Sequence, residues 1–100
     1  MPVYIIASYD IADPEGYAGY VPGVFPLLQK HSAEVLVGDF EAKAIEGEAH
    51  GVNVVLRFES EEAAMNWYND PAYEPVRKIR LDSTKNRSVL LAKQFAAPSA

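Results

Sequence analysis

Residues 3–11, VYIIASYDI, place Val3, Ile5, Ala7, Tyr9 and Ile11 on one side of an extended chain and Tyr4, Ile6, Ser8 and Asp10 on the other. The run is rich in β-branched and aromatic residues and predicts a strand. Asp13-Pro14-Glu15 is a helix start: a capping carboxylate, a proline that fits the first turn, and an acid at the positive end of the dipole. Tyr17, Tyr20, Val21, Val24, Leu27, Leu28 and His31 follow at intervals that make one helical stripe. Pro22 and Pro26 interrupt it and predict a kink or restart. Residues 34–40 (EVLVGDF) predict a second strand, with a further extension through Ala42–Ile45, and residues 46–51 a turn. Residues 52–59 (VNVVLRFE) are a third strand. Ser60 with Glu61, Glu62 and Ala63 is a hydroxyl cap leading acids into a helix. That helix runs to about Asn69, and a further helical segment begins at Asp70-Pro71 and carries Tyr73, Val76, Ile79 and Arg80 on one face. Residues 82–87 (DSTKNR) are polar enough for a turn, and residues 88–95 (SVLLAKQF) form the last strand.

The order β-α-β-β-α-β with short connections is the ferredoxin-like pattern, an α+β fold with a four-stranded antiparallel sheet and two helices on one face. The chain fits one domain over residues 1–96, with residues 97–100 as a frayed tail.

The strands are apolar on both sides. Val52, Val54, Leu56 and Phe58, and Val89 and Leu91, join the first strand's inner set. The other side holds Ile6, Val55, Leu90 and Ala92. In the second strand Val35 and Val37 fall on one side, Leu36 and Phe40 on the other. A lone domain would leave this second face in water, and an apolar patch of that extent is unusual on a monomer. The expected cover is a second copy of the chain, giving a homodimer.

Charge narrows the partners. The net charge is −5, which argues against nucleic acid. Residues 1–76 carry 3 basic and 13 acidic side chains, whereas residues 77–100 carry 6 basic ones and a single acid. Either the two parts neutralise each other in the fold, or the arginines build a local anion site. There is no cysteine, so thiolate chemistry is excluded. No apolar run approaches the length of a membrane span and no signal peptide is visible, which makes the cytoplasm the expected location. His31 and His50 have no ligand-like spacing to acids, so neither a metal nor a cofactor is expected.

Two constellations carry candidate chemistry. The topology brings Asp10, His50 and Asn53 to one sheet edge, with Arg77 and Arg80 expected nearby. His50 is then a candidate base, Asp10 its orienter and Arg80 an anion holder. The competing reading is a solvated His50 and a structural Asp10. The second constellation is aromatic: Tyr17, Tyr20, Trp67, Tyr68 and Tyr73 could line an apolar pocket for a small organic acid or aromatic compound. Trp67 fits a plain core better than a pocket wall, and Tyr73 is expected at a pocket edge. The alternative for the whole molecule is a non-catalytic binding or structural dimer.

The segment from Asn53 to Arg80 resembles the bacterial family called domain of unknown function 1330. The resemblance rests on Phe58, Ser60, Ala63, Ala64, Trp67, Tyr68, Asp70, Pro71, Tyr73 and Arg80, and on Asp13-Pro14-Glu15, Pro26-Leu27-Leu28 and Ile45-Glu46-Gly47 with His50. Ser32-Ala33 stands where that family usually has Gly-Gly, Pro22 is atypical, and Gln94-Phe95 replaces a common Glu-Gly. The resemblance implies a dimeric α+β barrel. Its wider superfamily includes cofactor-free monooxygenases, haem-degrading enzymes and isomerases. The family itself has no established reaction.

Overall fold

The computed structural model describes residues 1–98. Strand β1 (Val3–Ile11) leads into a short helix α1 (Pro14–Tyr17) and then α2 (Tyr20–Lys30). Strands β2 (Glu34–Asp39) and β3 (Val52–Phe58) follow. Helices α3 (Glu61–Tyr68) and α4 (Glu74–Ser83) lead to β4 (Thr84–Lys93). The sheet order is β2-β3-β1-β4, antiparallel throughout, with the helices packed on one face. This is the ferredoxin-like α+β fold.

The first expected helix is built in two pieces, for reasons the sequence contains, and the last helical segment starts at Glu74 after a turn at residues 71–73 instead of at Asp70-Pro71. Asp13 caps α1 by accepting from the Gly16 N–H at 3.2 Å. The break falls at Ala18-Gly19, ahead of Pro22. Gly19 is the N-cap of α2, so Pro22 lies in the first turn, where its missing N–H is not needed. Pro26 is tolerated inside α2. Ser60 caps α3, its hydroxyl accepting from Ala63 N–H at 3.1 Å. Gly23 lets α2 approach α4: a Cβ there would meet the Val76 methyls at 3.2 and 3.3 Å.

The core lies between sheet and helices. Val3, Ile5 and Tyr9 of β1 and Val52, Leu56 and Phe58 of β3 are buried beneath Val24, Leu28, Trp67 and Tyr73. Residues opposed in the register share a face, and Tyr9 faces with Val52 while its neighbour Asp10 points to the other side with Lys85.

Three expectations need correction. Strand β2 ends at Asp39; there is no strand through Ala42–Ile45. Within β2 the register slips between Val35 and Val37, which oppose Leu56 and Val55. The extra residue, Leu36, is a bulge that reverses the alternation. Val35 and Gly38 therefore face the helices, with Phe40 beyond them, and Val37 faces away. Residues 82–87 are not a turn: α4 runs through Ser83 and β4 starts at Thr84. Within β4 there is a second irregularity, at which Asn86 adopts φ 56° and the β1–β4 register shifts between Ser8 and Asp10.

The face away from the helices is uncovered. Ile6 (39% exposed) is flanked in the register by Val55 and by Leu90 (56% exposed), with Val37 beyond Val55. Of the expected tail, Ala97 and Pro98 are exposed and irregular; Ser99 and Ala100 lie outside the described residues. No helix among the described residues is long and apolar enough to cross a membrane.

Candidate functional site

On the helix side an apolar cavity of about 260 Å³ lies between the sheet and the helix layer. Its floor is Ile5, Ala7 and Tyr9 of β1 with Val54 and Leu56 of β3. Val24 and Leu28 of α2 and Trp67 of α3 form the roof, and Phe40 lies at one end. The side chains on its lining that carry polar groups are five tyrosines, of which Tyr9, Tyr17, Tyr20 and Tyr73 are buried and Tyr68 half-buried, with one indole and one guanidinium.

The tyrosines work in pairs. The Tyr9 and Tyr17 hydroxyls lie 2.7 Å apart, and those of Tyr20 and Tyr73 lie 2.6 Å apart. Burial pushes the Tyr9, Tyr17 and Tyr20 phenols above their ordinary value, so they stay protonated at physiological pH. Within each pair one hydroxyl donates to the other, which leaves one O–H hydrogen per pair for a further acceptor. Trp67 stacks on Tyr73 (4.6 Å between centroids) and Phe58 (5.6 Å), yet its Nε1–H is buried without an acceptor. Tyr73, expected at a pocket edge, is instead 1% exposed, at the N-cap of α4 and against the Trp67 ring.

Arg80 is the decisive group. It projects from α4 into the core and is 3% exposed. Its guanidinium carbon lies 5.8 Å from the ring centroids of both Tyr9 and Tyr20. Burial works against its charge; the neighbouring phenols of Tyr20 and Tyr73 favour it, and the balance lies on the charged side. No carboxylate pairs with it among the described residues. The expected neutralisation between the two halves of the chain does not occur through ion pairs there either. Lys78 pairs with Asp82 of its own helix, and Arg87 donates to the Leu81 and Thr84 carbonyls.

Arg77 has a different job. Its guanidinium lies 4.8 Å from the Tyr68 ring centroid and donates to the Tyr68 carbonyl at 2.9 Å. It ties the end of α3 to α4 and does not line the cavity.

Asp10, His50 and Asn53 do meet, as the topology required, on the opposite side of the sheet. His50 Nδ1 lies 3.1 Å from Asp10 Oδ2, and the Asn53 amide donates to the His50 carbonyl at 2.7 Å. Arg80 does not join them. Tyr9 and Asp10 are adjacent in the chain and so point to opposite faces; Arg80 follows Tyr9 and His50 follows Asp10. The single acid–base–anion site expected from the sequence is two sites.

Sequence reasoning missed three contributors. Asn86, assigned to a turn, donates to Asp10 Oδ2 at 2.9 Å. Tyr9, counted as core, supplies a hydroxyl to the cavity. His31, counted in an apolar stripe, ends α2 and meets Asp70 at 2.8 Å, beside Lys30 at 2.9 Å, tying α2 to the α3–α4 turn. Among the described residues no cluster of three or more His, Cys, Asp or Glu could hold a metal ion.

The family model of domain of unknown function 1330 matches residues 2–94. No curated protein matches the chain. Among solved structures, a Rhodopseudomonas palustris protein of unknown function superposes with a TM-score of 0.80 at 17% identity, covering 96% of this chain and 84% of its own. A dimeric protein of unknown function and ferredoxin-like fold from Bacteroides fragilis gives 0.59 at 13% identity, with 93% and 96% covered. A Bacteroides thetaiotaomicron protein assigned provisionally to the antibiotic biosynthesis monooxygenases gives 0.64 at 18% identity, with 99% and 94% covered. These likenesses establish fold alone.

Proposed function

This chain belongs to the family designated domain of unknown function 1330, and we propose that it is a homodimeric small-molecule-binding protein whose ligand is a small organic acid with an apolar or aromatic body. The observation that carries the reading is the lone charge of Arg80 in the helix-side cavity. A guanidinium buried without a counter-ion costs several kcal/mol unless polar groups or a ligand satisfy it. The tyrosine rings and phenols satisfy it in part; a ligand carboxylate would complete the shell. The same carboxylate or a neighbouring ligand oxygen would give the Trp67 Nε1–H its acceptor, a deficit of about 1–3 kcal/mol when unmet. The rest of the wall is hydrocarbon and aromatic, suited to an apolar body, and the cavity lies just under the ~300 Å³ at which drug-sized pockets begin.

The lining supports binding over acid–base catalysis in this cavity. Among the described residues it contains no histidine and no carboxylate, and the Tyr9, Tyr17 and Tyr20 phenols are held neutral. An oxygenase reading rests on fold likeness at 18% identity and on no residue of this chain.

The second copy belongs on the open face. Ile6, Val55, Leu90 and Val37 form its apolar centre, and burying such side chains gains about 25 cal/mol per Å² of apolar surface removed from water. One similar structure is described as dimeric.

Calorimetry and thermal shift test both parts. A series of benzoate, phenylacetate and C4–C8 straight-chain carboxylates is compared with the matching amides. At least one acid should raise the melting temperature, since a ligand at a hundred times its Kd adds about 2.7 kcal/mol. Amides that bind as well as acids would refute the carboxylate reading. Val55→Asp should convert a dimer in sedimentation into an 11.0 kDa species or an aggregate; an unaltered dimer would remove this face from the interface.

A further inference from the structure

We propose that Asp10 and His50 form a second, separate site: a general-base dyad that enolises a small uncharged carbonyl compound at the end of the open sheet face. It does not rest on the Arg80 cavity. Three donors fix Asp10. The Gly51 N–H donates to Oδ1 at 3.0 Å, while the Asn86 amide and His50 Nδ1 reach Oδ2 at 2.9 and 3.1 Å. Each of these bonds needs Asp10 as an acceptor. They hold its carboxyl well below the usual carboxylate range, the Asn86 amide contributing most, then Gly51, then His50.

An ionised Asp10 dictates the tautomer. Nδ1 carries the hydrogen it donates, so in the neutral ring Nε2 carries the lone pair. Nε2 has no hydrogen-bond partner among the described residues. The ring is anchored from below as well, through the Asn53 amide on its own carbonyl. A histidine oriented by a carboxylate, with its second nitrogen unengaged, is the arrangement a general base requires.

A cleft of about 410 Å³ opens beside it, lined by Ser8, Asn53 and His50 and by the loop from Ala42 to Ala49. Two polar groups besides the imidazole come from the sheet: the Ser8 hydroxyl and the Asn53 amide, which retains a second N–H. The charged groups facing His50 are Asp10 on β1, Lys85 opposite Asp10 on β4, and Lys43, Glu46 and Glu48 on the loop. Acids outnumber bases, so an anionic substrate is disfavoured and a neutral one favoured. This separates the cleft from the Arg80 cavity, which calls for an anion.

The step needs no co-reactant. Nε2 takes a proton from a carbon between two carbonyl groups. The C–H electron pair forms the carbon–carbon double bond of an enolate, and the carbonyl π pair moves to oxygen. The Ser8 hydroxyl and the Asn53 amide hold that oxygen while Asp10 stabilises the imidazolium. The imidazolium then returns its proton to the oxygen, giving the enol; the net change is an isomerisation.

The test uses the full chain and 2,4-pentanedione in D₂O, following loss of the central CH₂ signal by proton NMR. The protein should exchange it faster than an equal concentration of free imidazole. His50→Ala should lose roughly 100-fold, Asp10→Asn should lose rate as well, and Lys78→Ala on the far helix should retain it. A wild-type rate equal to free imidazole, or an undiminished rate in His50→Ala, overturns the proposal. Nitrogen-15 NMR of the histidine rings supplies a reading that needs no variant. His50 should carry its hydrogen on Nδ1; a hydrogen on Nε2 in the neutral ring also overturns the proposal.

Discussion

The two faces of the sheet share every strand and differ in almost everything else. On the helix side, alternate residues of β1 and β3 are sealed under α2, α3 and α4, and the polar groups there are phenols, an indole and one guanidinium with no carboxylate partner among the described residues. On the open side, the centre is exposed hydrocarbon and the edge carries Asp10, His50, Asn53 and Asn86. Dry surroundings make a charge costly and therefore informative: Arg80 has no carboxylate partner among the described residues, which is what the proposed ligand would supply. Wet surroundings make charge cheap, and there the informative feature is geometry, a carboxylate that fixes an imidazole. Tyr9 and Asp10 are consecutive in the chain and belong to different sites. Closeness along a strand separates side chains across the sheet.

The sharpest break in the comparison is a matched pair of truncations. Phe58→Ala removes a ring that is 0% exposed and should cost about 3–5 kcal/mol in urea unfolding. Leu90→Ala, on the open face, should cost under ~1 kcal/mol at concentrations where the protein is monomeric, and show its effect on the dissociation constant instead. Equal losses in both, independent of concentration, would mean that the two faces are equally buried by folding alone.

Arg80 allows a sharper contrast between stability and binding. Arg80→Met keeps the volume and removes an unpaired buried charge. The variant should be as stable as the wild type or more stable by about 1–3 kcal/mol, and it should no longer bind the carboxylate. A large loss of stability with ligand binding retained would make Arg80 a structural residue.

A smaller effect separates the two surface carboxylates. Asp70 is held low by His31 first, then by Lys30 and the Ala72 N–H; Asp10 is held low by Asn86 and Gly51 before His50. Both pKa values are depressed on folding, so both groups stabilise the fold while ionised. That stability is in place above the ordinary carboxylate value of 3.8 and drains away as pH falls below it. Asp70→Asn and Asp10→Asn should each lower stability at pH 7 and flatten its decline between pH 4 and pH 2. The Asp70 effect should shrink in 1 M salt, because Lys30 is a charged, exposed partner. The Asp10 effect should persist, because two of its three donors are neutral amides.

How much of this was legible depended on how local the determinant was. The alternation of β1 and β3, the caps at Asp13 and Ser60 and the ferredoxin-like order can all be read within a few residues. So could the meeting of Asp10 with His50, because strand direction alone sets which ends share an edge. The rest depends on a one-residue event or on distant packing. The bulge at Leu36 sends Phe40 to the helix side, and no residue type marks it. Asn86 was readable as a residue that tolerates positive φ, but its reach to Asp10 follows from a register shift. The pairing of Tyr20 with Tyr73 joins positions 53 apart. The isolation of Arg80 depends on where every acid comes to rest.

The smallest effect concerns a position where this chain departs from the pattern it resembles. Helix α2 ends in a Schellman motif: Ala33 N–H donates to the Leu28 carbonyl at 2.9 Å and Ser32 N–H to the Gln29 carbonyl at 3.1 Å. The motif requires a left-handed residue at Ser32, whose φ is 57°. A serine there pays about 1 kcal/mol against its Cβ, which glycine avoids. Glycine in turn gives the unfolded chain more freedom, worth about 0.4–1 kcal/mol the other way. Ser32→Gly should therefore stabilise the fold by no more than ~1 kcal/mol, whereas Ser32→Val should destabilise it by more than that, because a β-branched residue resists positive φ. Both are measurable by urea unfolding. Equal stability in the glycine and valine variants would show that the turn after α2 does not hold the left-handed conformation, and that the family's paired glycines serve something other than this helix end.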